Sequence, residues 1–237
     1  MKLSRVCLES ARISAPVKFL FLSDLHDRPA PEALALMQRE RMDFVVFTGD
    51  AVNRHSGTAE RSLRFLCEAA KLCPVFFSVG NHENYLPDMP WDRLAAAGVT
   101  VLDNAETEIA GLRIGGLSSW LRAEEKEPAA RAFAARFSRE DGKFRLLLCH
   151  HPEYYPLFLK GQDIDLILSG HAHGGQIRIF GQGLFAPGQG ILPRYTAGLH
   201  DGRLLISRGM ANHTIIPRLF NPPEMLVVEI GMRRKSD

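Results

Sequence analysis

Apolar residues in this chain gather in short, dense runs. Residues 17–22, 44–48, 75–79, 144–149 and 164–168 are rich in Val, Ile, Leu and Phe and do not alternate with polar positions. Unbroken runs of this length predict strands buried on both faces. Between several of them the period lengthens. Residues 31–42 carry Leu34, Leu36 and Met37 with Arg and Glu opposite, and residues 58–73 open on Thr58-x-Glu60 and repeat Leu63, Leu66 and Ala70. That spacing predicts amphipathic helices, with residues 91–97 and 128–137 as shorter ones.

Strand and helix alternate through the first part of the chain, which predicts a parallel α/β sheet there. Further on the pattern changes. Residues 108–116 read as a hairpin, and residues 176–185, 203–208 and 225–230 read as strands without helices between them. A second sheet stacked on the first accommodates them most economically. No repeat, low-complexity tract or Ser/Gly linker divides the sequence, so residues 1–237 read as one domain. The expected class is α/β, with two stacked mixed sheets flanked by helices.

Bulk composition narrows the partners. With 46% hydrophobic and 24% charged residues, the chain reads as an ordinary soluble globular protein. A formal charge of +2, without basic stripes, gives no footprint for nucleic acid. The one basic cluster, Arg233-Arg234-Lys235, reads as a solvated terminus. Cys7, Cys67, Cys73 and Cys149 contain no C-x-x-C pair, which argues against a disulfide framework and for a reducing compartment. Neither a signal-peptide core nor a run of ~20 apolar residues is present, so a cytoplasmic location is expected, with peripheral membrane contact left open.

Chemistry enters at the ends of the five apolar runs. They lead into Ser23-Asp24-Leu25-His26, Gly49-Asp50, Gly80-Asn81-His82-Glu83, His150-His151 and Gly170-His171-Ala172-His173. Loops at the carboxyl ends of strands in an α/β sheet share one edge, where ligands bind. Any one of these residues alone would read better as a capped turn or a core histidine; five coincidences reverse that. Carboxylates, an amide and imidazoles, without a thiolate, suit Mn, Fe, Zn or a similar divalent ion. Asp24, His26, Asp50, Asn81, His150, His171 and His173 are too many for one tetrahedral ion and about right for two sharing a carboxylate.

In this order and spacing the motifs resemble the calcineurin-like metallophosphoesterases. Gly170-His171-Ala172-His173-Gly174-Gly175-Gln176, Tyr195-x-x-Gly198-Leu199, Ser207-Arg208-Gly209 and Pro222-Pro223-Glu224 resemble its small bacterial branch, which includes membrane-associated phosphodiesterases and UDP-diacylglucosamine pyrophosphatases. The resemblance implies a four-layer αββα sandwich and two divalent ions, Mn first, with Fe or Zn as alternatives. It further implies that Asp24, His26 and His173 hold one ion, that Asn81, His150 and His171 hold the other, and that Asp50 bridges them. A hydroxide between the ions would attack phosphorus in line, opening a phosphodiester or pyrophosphate bond, and His82 would be the general acid. Glu83 would orient an imidazole or lie in solvent.

Departures and rivals are visible too. Asn53 stands where relatives often carry an acid or His, and reads as a hydrogen-bonding support for the site. Arg54, Arg208 and His213 are candidates for substrate contact outside the core set, while His151, His55 and His200 read as structural or solvated. The substrate is expected to be small and phosphorylated, either lipid-linked or nucleotide-linked. Tyr85, Leu86, Met89, Trp91, Phe180, Leu184 and Phe185 either rim its site or belong to the core. A phosphomonoesterase, a protein phosphatase and a non-catalytic scaffold on the same fold are the alternatives.

Overall fold

The computed structural model describes residues 1–55, 59–86, 88–119, 124–139, 141–212 and 217–233. In chain order they form β1 (Lys2–Ser10), β2 (Val17–Leu22), α1 (Pro31–Arg39), β3 (Phe44–Thr48), α2 (Glu60–Ala70), β4 (Val75–Ser78), α3 (Trp91–Ala96) and β5 (Val99–Leu102). Next come β6 (Ala105–Ile109), β7 (Leu112–Leu117), α4 (Glu127–Phe137), β8 (Phe144–Cys149) and β9 (Leu166–Ser169). Two miniature hairpins follow, β10 (Arg178–Ile179) with β11 (Gln182–Gly183) and β12 (Phe185–Ala186) with β13 (Gly190–Ile191). The last strands are β14 (Gly198–His200), β15 (Leu204–Ile206) and β16 (Glu224–Met232).

Two six-stranded mixed sheets result, ordered β1-β16-β2-β3-β4-β5 and β14-β15-β9-β8-β7-β6. Within the first, β2, β3, β4 and β5 run parallel, and within the second β7, β8, β9 and β15 do. The central strands have no polar face because both sides are covered. On β2, Phe19 and Phe21 enter the core between the sheets, while Leu20 and Leu22 enter a second core under α1, α2 and α3. A third core joins the outer face of the second sheet to α4 through Phe133, Phe137, Leu147 and Ile167. Helix, sheet, sheet and helix therefore form four layers. Truncating a fully buried side chain such as Phe19 would cost ~3–5 kcal/mol.

Two sequence expectations shift, and one strand is new. The stretch 176–185 is a pair of two-residue strands around a turn, because Gly174, Gly175, Gly181 and Gly183 interrupt any longer pairing. Residues 164–168 pair from Leu166 onward, and β1, not foreseen, pairs in parallel with the last strand, β16. Its alternating exposure fits an edge position, which is why no dense apolar run marked it. The Thr58 cap lies outside the described residues.

Candidate metal centre

The loops after β2, β3, β4, β8 and β9 meet at one edge of the two sheets. Backbone bonds continue past the strand ends: the N–H groups of Asp24, His26 and Asp27 donate to the carbonyls of Gly49, Asp50 and Ala51. The sheets are joined there by the His171 N–H, which donates to both Asp24 carboxylate oxygens at 3.1 and 3.2 Å. Asp24, His26, Asp50, His171 and His173 all hold positive φ, between 47 and 62°. Non-glycine residues rarely adopt that conformation, and when several do so together the strain marks a functional site. At Gly170 a Cβ would lie 2.4 Å from Asp24 Oδ2, so only glycine lets β9 end against that carboxylate.

Two donor groups emerge. In one, His26 Nε2 and His173 Nε2 are 3.3 Å apart, and they stand 3.9 and 3.5 Å from Asp24 Oδ1. In the other, His150 Nε2 lies 3.2 Å from Asp50 Oδ2 and 3.1 Å from Asn81 Oδ1, and Asp50, His150 and His171 converge. Ligand atoms at about 2.1 Å from one tetrahedral ion lie about 3.4 Å from each other, so both groups fit a divalent cation. Asp50 also groups with His26 and His82, which puts its carboxylate between the two sets. All seven predicted ligands and His82 are buried, and the fold brings them together.

Electrostatics follows from the burial. Burial works against charge on His150, yet Asp50, with help from Asp24 and the Thr48 carbonyl, pushes it up to about 10. Its Nδ1–H donates to that carbonyl at 2.6 Å, which leaves Nε2 turned to Asp50. Burial would raise Asp50, but His150, His82 and His26 hold it well below the ordinary carboxylate range. Asp24 is pushed up to about 6, first by burial and then by Asp50, against the pull of His150. With no ion, then, His150 carries a proton where a cation would otherwise balance Asp50.

His82 lies against this group. Its N–H donates to Asp50 Oδ1 at 2.8 Å, its Nε2 stands 3.8 Å from Asp50 Oδ2, and its Nδ1 accepts the Arg54 N–H at 3.3 Å. That acceptor role places the ring proton on Nε2, the nitrogen facing the centre. Burial lowers the ring's pKa, only partly offset by Asp50.

The Glu83 expectation needs correction, and the structure places the other candidates. Glu83 neither orients an imidazole nor meets solvent: Oε2 accepts the N–H groups of Asp50 and Gly80 at 2.9 and 2.8 Å, and Oε1 accepts that of Val52 at 3.2 Å. It therefore ties the Asp50 loop to the Asn81 loop. Asn53 accepts the His55 N–H at 3.0 Å. Met89 is core, and Leu86 and Trp91 pack against it, whereas Phe180 is fully exposed and Tyr85 lies under the Arg54 guanidinium. His151 is buried edge-on to His171, with ring centroids 4.3 Å apart. His213 lies outside the described residues. Arg218 was missed, because it follows the motif set in a stretch without its own pattern. Its guanidinium, mostly buried, donates to the carbonyls of Arg208 and Ala211 and to His173 Nδ1 at 2.9 Å.

Comparison with known proteins decides the family. The calcineurin-like phosphoesterase profile matches residues 17–175, well over half of the chain and every strand-end motif. The chain belongs to the calcineurin-like phosphoesterase family. It is 31% identical to phosphodiesterase YaeI of Escherichia coli K12, over 92% of this chain and 83% of that protein. It is 26% identical to an uncharacterized metallophosphoesterase of Aquifex aeolicus, over 97% and 92% of the two chains. Among solved structures, a Vps29 single mutant from Entamoeba histolytica superposes over 89% of this chain and 84% of its own, at 13% identity and a TM-score of 0.44. That likeness is too low to bear on activity. As a calcineurin-like phosphoesterase the chain is a metal-dependent phosphohydrolase, and its clustered Asp and His donors can bind metal. No helix among the described residues is long and apolar enough to cross a membrane.

Proposed function

We propose that this phosphoesterase uses two divalent ions, Mn best suited among them, to open a phosphodiester or pyrophosphate bond in a small substrate. The observation that carries the reading is the pair of three-donor groups with Asp50 between them. When bound, such a pair activates water and neutralises phosphoryl charge. Asp24, His26 and His173 would hold one ion, and Asn81, His150 and His171 the other.

The chain's own groups supply the rest. His82 Nε2–H faces the centre and donates a hydrogen bond to the leaving oxygen, and it transfers a proton there when the ring enters the step as imidazolium, returning to the neutral form. Arg218 only donates, so its contact leaves His173 Nδ1 as acceptor. An ion held by His173 Nε2 would need the ring proton on Nδ1, and Arg218, freed from that contact, would offer its charge to a phosphoryl oxygen.

Arg208, whose carbonyl the Arg218 guanidinium holds, lines a cavity of about 510 Å³ together with Arg178, Ile179, Phe180, Gly181 and Phe220. Two cations among exposed aromatics suit an anionic substrate that carries an acyl chain or a stacking ring, lipid-linked or nucleotide-linked. A panel of alkyl phosphodiesters, phosphomonoesters and nucleotide-linked or lipid-linked pyrophosphates, assayed with added Mn, tests the proposal. Turnover of diesters or pyrophosphates that disappears in Asp50→Asn is expected; hydrolysis of monoesters alone, or none with any divalent ion, would overturn it.

A further inference from the structure

Against His171 Nε2 lies a buried carboxylate that no step above uses. The turn after β8, closed by the Tyr154 N–H donating to the His151 carbonyl at 3.2 Å, folds Glu153 back beneath two imidazoles. Glu153 Oε1 stands 3.8 Å from His171 Nε2 and 3.3 Å from His151 Nδ1. Both ring nitrogens and both Glu153 oxygens are sealed from solvent, and none of the four has a hydrogen-bond partner. Buried polar atoms are rarely left so, and four in one place indicate a network poised to close. The far end of it is anchored, because His151 Nε2 lies 2.6 Å from Ser119 Oγ.

Gly188 forms the lid. It sits between β12 and β13 at φ 73°, and a Cβ there would lie 2.3 Å from Glu153 Oε1. A side chain at this position would push the carboxylate out of the place the hairpin now covers.

We propose that Glu153 is a positioning residue for the second ion, an inference that rests on the reading of His171 as a ligand. A neutral imidazole that binds an ion through one nitrogen carries its proton on the other, and a carboxylate that accepts this proton fixes the ring's tautomer and tilt. His171 then presents Nδ1 to the ion and donates Nε2–H to Glu153. The same carboxylate accepts Nδ1–H from His151, whose Nε2 accepts the Ser119 hydroxyl proton. The competing use of His151, Glu153 and His171, a third cation site, would set a cation against the Nε2–H that His171 needs as a ligand.

The test uses the full chain and compares Glu153→Met, which keeps the shape without an acceptor, with Glu153→Gln, which keeps one acceptor oxygen. Mn stoichiometry and both dissociation constants are measured by chelator competition, with thermal unfolding as a check on folding. The expected result is two ions in every case, one of them weakened ~10–100-fold in Glu153→Met, the other unchanged, and partial rescue in Glu153→Gln. Gly188→Ala should weaken the same ion by crowding Oε1. In the Zn-loaded chain, an exchange-protected imidazole N–H resonance should be present in the wild type and absent in Glu153→Met. Unchanged or equally weakened affinities would overturn the inference, as would three ions in the wild type falling to two in Glu153→Met. His171→Ala separates the two levels: if it costs no ion, the ligand reading fails and takes this inference with it. If it costs one while Glu153→Met costs nothing, only the role of Glu153 falls.

Discussion

Lowering the pH should strip the centre of its ions by a predictable amount. Without an ion, His150 titrates at about 10, held there by Asp50 despite its burial. Ligation needs the Nε2 lone pair, so the ion must displace a proton. Between pH 6 and 8 the free chain carries that proton almost completely. Affinity for the ion beside His150 should therefore rise about tenfold per pH unit, about 100-fold over the window, or about 2.7 kcal/mol. Asp24, raised to about 6, takes up a proton only at the acid end of the window and weakens the other ion, beside His26 and His173, there. Titration calorimetry with Mn in buffers of different ionisation heat reads the proton count directly; about one proton released per His150-bound ion at pH 7 is expected. Affinity that stays flat from pH 6 to 8, with no proton released, would refute this assignment of charge to His150.

Four further outcomes follow from the same geometry. Asp50→Asn should lose more bound metal than Asn81→Ala, because one serves both donor groups and the other a single ion; elemental analysis showing equal, small losses would remove Asp50 as the bridge. His82→Ala should keep its metals and lose ~10²–10⁴-fold on an alkyl phosphodiester but far less on the nitrophenyl analogue, whose leaving group needs no proton; equal losses would point to a role in positioning. Glu83→Ala leaves the N–H groups of Asp50, Val52 and Gly80 without acceptors, so a net loss of about 2 kcal/mol and a melting temperature lower by about 4–8 °C are expected, and an unchanged melting curve would contradict it. Arg218→Ala should raise KM with both ions retained; an unchanged KM would confine Arg218 to holding the Arg208 and Ala211 loop.

Strands such as Val17–Leu22 and Phe144–Cys149 were legible to the residue, because burial on both faces demands an unbroken apolar run. The edge strand Lys2–Ser10 was not, since one exposed side leaves it polar at alternate positions. The clustering of the donor residues was legible for a different reason: oxygen and imidazole donors recur at strand ends, and topology gathers strand ends. What surrounds them was hidden. Glu83 works through three backbone N–H groups, and no side-chain pattern encodes those. Arg218 and Glu153 reach the centre only through a long return of the chain and a tight turn, so their distance to His173 and His171 exists in the fold alone.

Anomalous scattering from crystals grown with Mn tests the central claim most directly. The account predicts two peaks per chain about 3.5–4 Å apart, one among Asp24, His26 and His173, one among Asn81, His150 and His171, with the Asp50 carboxylate touching both. A single peak, or two held by a different set of residues, would contradict it.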